Sequence, residues 1–209
     1  PQQGLVYDAK NLAFILPAGK YIGNSRYKDV FAASTTADLT SFRNHWGAET
    51  SLDVELYRPV ARYELVAKDV ATFLNKLSTG GLKGESFTAR VKYSDYLPTG
   101  YNLWDDVPKN SLMYMEYKVA FEPPADGTKE LILGFDYVLT DVGETVSIPV
   151  ELEILNEKNE VLARTAFRIP CERGKNTAVR GNFLTSDANG GIGIDPDYDG
   201  DLEVDLGEL

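Results

Sequence analysis

The chain has 209 residues, 43% hydrophobic, with 32 acidic against 21 basic side chains and a formal net charge of −11; that length and apolar content allow a real core and exclude a disordered chain. Residues 187–209 hold eight of the acids and no Lys or Arg, so the remainder is near balance and lacks the basic stripe a nucleic-acid partner requires. No run reaches the ~18 apolar residues of a membrane-spanning helix, and a single cysteine, Cys171, excludes an intrachain disulfide.

Residues 1–57 offer only strand fragments, "NLAFILPAGKY", "DVFAAS" and "SLDVELY", and read as an incomplete domain. The chain opens at Pro1 with no basic and apolar leader, so any export signal is expected to have been removed. A boundary is expected near Arg58, with 58–209 a complete sandwich. In "RPVARYEL" Ala61, Tyr63 and Leu65 point one way, Arg58 and Arg62 the other. "KDVATFLNKLSTGG" places Val70, Phe73, Leu74 and Leu77 at helical spacing, with Asp69 to cap the start and Gly80 and Gly81 to stop it. Such a helix would lie over an open sandwich end; a membrane-surface or partner-binding role is the alternative.

From there the dominant period is two. "ESFTARVKY" puts Phe87, Ala89, Val91 and Tyr93 on one face, and "SLMYMEYKVAF", "TVSIPVELEIL" and "EVLARTAFRI" alternate in the same way. "KELILGFDYVL" is apolar on both faces and reads as a central strand, while Pro149 consigns its own strand to a sheet edge. "DLEVDL" reads as a last strand, with Leu202, Val204 and Leu206 inward. Pro, Asp, Asn and Gly clusters separate these runs, as in an antiparallel sandwich or barrel.

Candidate chemistry is sparse. "DPDYDGD", from Asp195 to Asp201, begins like a calcium loop, but its twelfth position is Leu206, its second is Pro196, and no helices flank it. The stretch reads as a turn feeding the last strand, with weak calcium binding as the alternative; no metal or cofactor is expected. His45 is the only histidine, in "SFRNHWGAE", and Cys171 lies in "RIPCERG", so neither a nucleophile–base pair nor a zinc site is indicated. The long segment 94–111, "SDYLPTGYNLWDDVPKNS", places Tyr96, Tyr101 and Trp104 among Asp and Asn side chains, a candidate sugar-binding platform. The other reading has these aromatics close the sandwich end.

Three stretches together resemble the fimbrillin superfamily of Bacteroidales, in particular a fimbrillin-like branch often labelled as a domain of unknown function. They are "LPAGKY" (Leu16 to Tyr21), "RPVARYEL" with Arg58, Pro59 and Arg62, and "IPCERGKNTAVRGNFLT" continuing through "GGIGIDPDYDGDLEVDL". The last contains the motif positions Arg180, Gly181, Asp195, Pro196, Asp199 and Gly200, all structural. The resemblance implies an all-β fold of two transthyretin-like antiparallel β-sandwich domains, the first incomplete and the second carrying one short helix. It implies export as a lipoprotein precursor to the cell surface and outer membrane. It also implies a non-enzymatic role in adhesion and fimbrial assembly by β-strand addition to other fimbrial subunits. Because the chain ends three residues after "DLEVDL", a tip, anchor or accessory subunit is favoured over a shaft subunit. The alternative function is a carbohydrate-binding surface module that uses the 94–111 aromatics on host or bacterial glycans.

Overall fold

The computed structural model describes residues 6–8 and 13–15 as backbone, and residues 21–80 and 85–186 in full. The expected terminal strand and the motif positions Asp195, Pro196, Asp199 and Gly200 lie outside the described residues. Among the described residues the fold is all-β with one short α-helix. Its strands are β1 (Val6–Asp8), β2 (Ala13–Ile15), β3 (Val60–Ala67), β4 (Phe87–Tyr93), β5 (Leu97–Asn102), β6 (Val107–Leu112), β7 (Glu116–Phe121), β8 (Leu131–Leu139), β9 (Thr145–Leu155), β10 (Val161–Glu172) and β11 (Asn176–Gly181). Helix α1 spans Val70–Gly80.

Two sheets, β10-β9-β4-β7 and β11-β3-β8, enclose the main core. The alternation read from the sequence explains why. Phe87, Ala89, Val91 and Tyr93 of β4 are buried against Ala61, Tyr63, Leu65 and Ala67 of β3 and Val150, Leu152 and Ile154 of β9. The opposite face of the four-stranded sheet is charged. There the side chain of Glu153 is fully buried by its own partners, accepting from Arg90 Nε at 2.6 Å and Arg164 Nη2 at 2.6 Å, with Lys92 Nζ at 2.9 Å. Burial alone would raise its carboxyl pKa, but the three cations hold it at about 2. Helix α1 covers the core with Val70, Phe73 and Leu77, and Phe73 meets the Phe87 ring edge-on at 5.2 Å. Asp69 stands at the helix start, where its carbonyl accepts from Phe73 N–H at 3.0 Å, while its carboxylate accepts from Leu184 N–H at 3.0 Å and the Thr185 hydroxyl at 2.7 Å, holding the chain after β11 against the helix start.

Strand β8 differs from its expected central position. It ends the three-stranded sheet, pairing with β3 alone, yet both its faces are covered. Leu65 pairs with Gly134 and Val66 with Ile132, so Leu133 is the extra residue of a bulge. The bulge changes the phase of the strand: Leu133, Asp136 and Val138 turn into the main core, while Phe135, Tyr137 and Leu139 meet Val60 and Tyr101 in a second cluster. The Asn24 N–H donates to the Phe135 carbonyl at 3.0 Å and covers the free edge of β8.

Pro149 also departs from expectation, because β9 lies inside its sheet. The ladder to β4 ends at Val150, and the Pro149 carbonyl accepts from Ser94 N–H at 3.2 Å, so its nitrogen faces the spot where β4 has finished. The ladder to β10 loses nothing. One pairing is not antiparallel: β11 runs parallel to β3.

The boundary expected at Arg58 is crossed by pairing. Strand β2 bonds to β5, in the sheet β1-β2-β5-β6, and Asn24 N–H bonds to the Phe135 carbonyl of β8. Gly23 passes so close to β7 that a Cβ there would stand 2.2 Å from the Tyr117 ring. Gly23→Ala is therefore expected to destabilise the protein by about 1–3 kcal/mol, read as a lower denaturant midpoint of one transition. An unchanged midpoint would show that residues 21–57 are not packed on the body.

Candidate functional site

Segment 94–111, expected to be irregular, is a hairpin of β5 and β6 in which Asn102 faces Val107 and Gly100 faces Lys109. Its turn is made by side chains. Asn102 Oδ1 accepts from Trp104 N–H at 3.0 Å, and Asp106 takes a positive φ of 58°, a conformation Asp and Asn tolerate better than most residues. Asp106 then anchors the turn to the body. Arg173 grips it with two hydrogen bonds, at 2.8 and 3.0 Å, and the hydroxyls of Tyr57 and Tyr101 donate to the same carboxylate. Arg173 also stacks on the Tyr57 ring, 4.2 Å from its centroid. Burial would raise the Asp106 pKa, but Arg173 and the two tyrosines bring it to about 2. So occupied, this carboxylate is a structural acceptor.

The hairpin separates the proposed platform residues. Tyr101 is fully buried against Val60, Tyr137 and Leu139, because inward alternation on β5 points it at the second core cluster. Trp104 is 79% exposed in the turn and Tyr96 is 63% exposed before β5. The whole of β5 lies between them, roughly 20 Å at strand rise, so no single sugar ring can stack on both. Tyr114, just after β6, is also exposed, at 83%. The sequence hid Tyr114 inside an apparently continuous alternation over 111–121; the chain breaks there because Tyr114 itself has a φ of 58°.

The resemblance positions are distributed through the framework. Arg58 pairs with Asp29 at 2.8 Å and stacks on Phe31, and the Pro59 carbonyl accepts from Thr140 N–H. Arg62 bonds to Asn176 Oδ1 at 2.6 Å and joins β3 to β11. Arg180 lies 3.7 Å from Glu130, and a Cβ on Gly181 would meet the Phe183 ring at 2.8 Å, so that glycine permits a ring to fold back on β11. Cys171 is buried, and burial, with Asp136 nearby, pushes its thiol up to about 12. His45 sits on an exposed loop far from such surroundings.

A buried polar cluster went unread in the sequence. Asp136 accepts from Lys28 Nζ at 2.6 Å, from the hydroxyls of Tyr21 and Tyr93 at 2.7 Å each, and from Tyr137 N–H at 2.8 Å. Tyr63 continues the chain, with its hydroxyl 2.6 Å from that of Tyr93 and 3.2 Å from that of Tyr117. Burial lowers the Lys28 pKa against the opposing pull of Asp136, and burial first, then Asp136, raises those of Tyr21 and Tyr93. Partners 108 residues apart left no local signal.

The exposed apolar groups gather elsewhere. Leu52, Val54 and Leu56 are 54%, 49% and 62% exposed and alternate with Ser51, Asp53 and Glu55; among the described residues no ladder includes them before Tyr57 bridges to Ala32. Trp46 is 99% exposed in the same segment. On β7, Met115 and Tyr93 are hydrogen-bonded, so Tyr117, Val119 and Phe121 bond toward β4 while Glu116, Lys118 and Ala120 turn their peptide groups away from the sheet. Among the described residues no group of three or more His, Cys, Asp and Glu can hold a metal, and no helix is long and apolar enough to cross a membrane.

These features define an all-β protein of packed sheets, pinned by hydrogen-bonded carboxylate clusters and bearing, among the described residues, an exposed alternating segment. The chain belongs to DUF6562, a family of unknown function whose model matches residues 1–207. No curated protein and no solved structure matches it.

Asp106→Asn keeps the turn conformation and loses the charge that Arg173 grips, so it is expected to destabilise by about 1–2 kcal/mol in this half-exposed setting. The folded pKa of Asp106 is depressed, so protonation favours unfolding: its contribution is full above the ordinary carboxyl value of 3.8 and is lost as pH falls towards about 2. Stability measured from pH 7 to 2 should therefore show the deficit of the variant at neutral pH and convergence with wild type in acid; a gap that stays constant would contradict the assignment.

Proposed function

We propose that this protein is a non-enzymatic, fimbrillin-like surface subunit that acts in adhesion and assembly by β-strand addition, as a tip, anchor or accessory component at the outer membrane. The observation that carries the reading is the segment 51–56. Its Leu52, Val54 and Leu56 would be buried by pairing with a sheet, and their exposure leaves roughly 1–3 kcal/mol apiece for a partner to gain. The β7 edge, with outward peptide groups at Glu116, Lys118 and Ala120, is a complementary acceptor. Asp53 and Glu55 of the added strand would stand on the side of Lys118. The engaged state of Asp106 and Glu153, each surrounded by donors, also favours binding over catalysis of a substrate.

Glycan binding is retained as a second reading only for the exposed Trp104 at the hairpin tip. A glycan array distinguishes it: signal that disappears on Trp104→Ala favours that reading.

The primary test uses a labelled peptide of residues 50–57 titrated into the purified chain. Saturable binding is expected, abolished by Val54→Asp in the peptide. Lys118→Pro in the chain should also abolish it, because proline removes an outward N–H while sparing the β4 ladder. Absence of binding, or binding indifferent to both changes, would sink the reading.

A further inference from the structure

We propose that Lys28 and Asp136 condense to an intramolecular amide, which makes this pair a self-modification site and ties the N-terminal stretch covalently to β8. The inference is independent of the function proposed above. Lys28 is 8% exposed and Asp136 not at all, and Nζ lies 2.6 Å from Oδ1, so amine and carboxyl group are held in direct contact without bulk water between them.

The two carboxylate oxygens have different surroundings. Oδ1 faces Lys28 and the Tyr137 N–H, whereas Oδ2 accepts from the hydroxyls of Tyr21 and Tyr93, both at 2.7 Å. In the reaction a proton passes from the ammonium to Oδ1, and the amine lone pair then attacks Cγ. The negative charge of the tetrahedral species collects on Oδ2, where two donors are already aimed. Oδ1 takes a second proton from the lysine nitrogen and leaves as water as the C–O bond breaks. One ammonium and one carboxylate thus give one amide and one water, with no other reactant. Burial, which lowers the proton affinity of Lys28, favours the neutral amine that must attack. Tyr21 and Tyr93 remain protonated donors, since burial and the Asp136 charge both oppose their ionisation.

The full chain, folded and aged to constant mass, is measured by intact-mass spectrometry and then digested with trypsin. The expected result is a mass lower than the sequence mass by one water. Trypsin should fail to cleave after Lys28, and one branched peptide should join residues 27–43 to residues 130–158. Lys28→Arg should restore the full mass. If that variant does not fold, the wild-type digest still decides. Full mass with free cleavage after Lys28 would mean an ion pair only, and a water loss confined to another peptide would mean cyclisation of an Asp-Gly step; either overturns the proposal.

Discussion

The rest of the structure depends on a carboxylate placed where water cannot reach it. A bulge in β8 turns Asp136 into the core, and an uncompensated charge there would be worth several kcal/mol of destabilisation. Compensation comes from Lys28 and Tyr21 on one side and Tyr93 on the other. Residues 21–28 must therefore cross the rim of β8, and in crossing they cover its open edge through Asn24 and lay Gly23 against Tyr117. One buried charge thus fixes the path of a segment with little regular structure of its own.

The same device recurs at two other places. Asp106 fixes the β5–β6 turn through Arg173, Tyr57 and Tyr101, and Glu153 gathers Arg90, Lys92 and Arg164 across three neighbouring strands. In each case the carboxylate is encircled by cations or hydroxyls, at least one of them from a distant part of the chain. A protein with one cysteine uses these clusters where others use disulfides. Unlike apolar contacts, they impose direction as well as proximity.

Strand periodicity was legible because one face of most strands meets water or charge. β4 follows the alternation residue for residue, β9 follows it over 148–151, and α1 follows its helical spacing. Legibility ended where a long-range partner decided the outcome. The β5 sequence, with a proline and a glycine, is a poor strand former, and its hairpin rests on the Asn102 turn and the Asp106 anchor. β8 is apolar on both faces because clusters lie on both sides of it, a pattern that a sheet centre would also produce. Of the platform residues, Tyr96 and Trp104 are exposed as such a site requires, but nothing local distinguishes them from Tyr101, whose alternation points inward.

The parallel pairing of β11 with β3 has a consequence for how the chain comes together. Neither neighbour of β3 is close to it in sequence: β8 follows at 131–139 and β11 at 176–181. The strand at the middle of its sheet therefore stays unpartnered until β8 has been made, and one of its edges stays open until β11 follows. Folding of such a topology is slow and exposes an apolar ribbon meanwhile, so a chaperone that shields residues 60–67 of the nascent chain would act on its most vulnerable stretch.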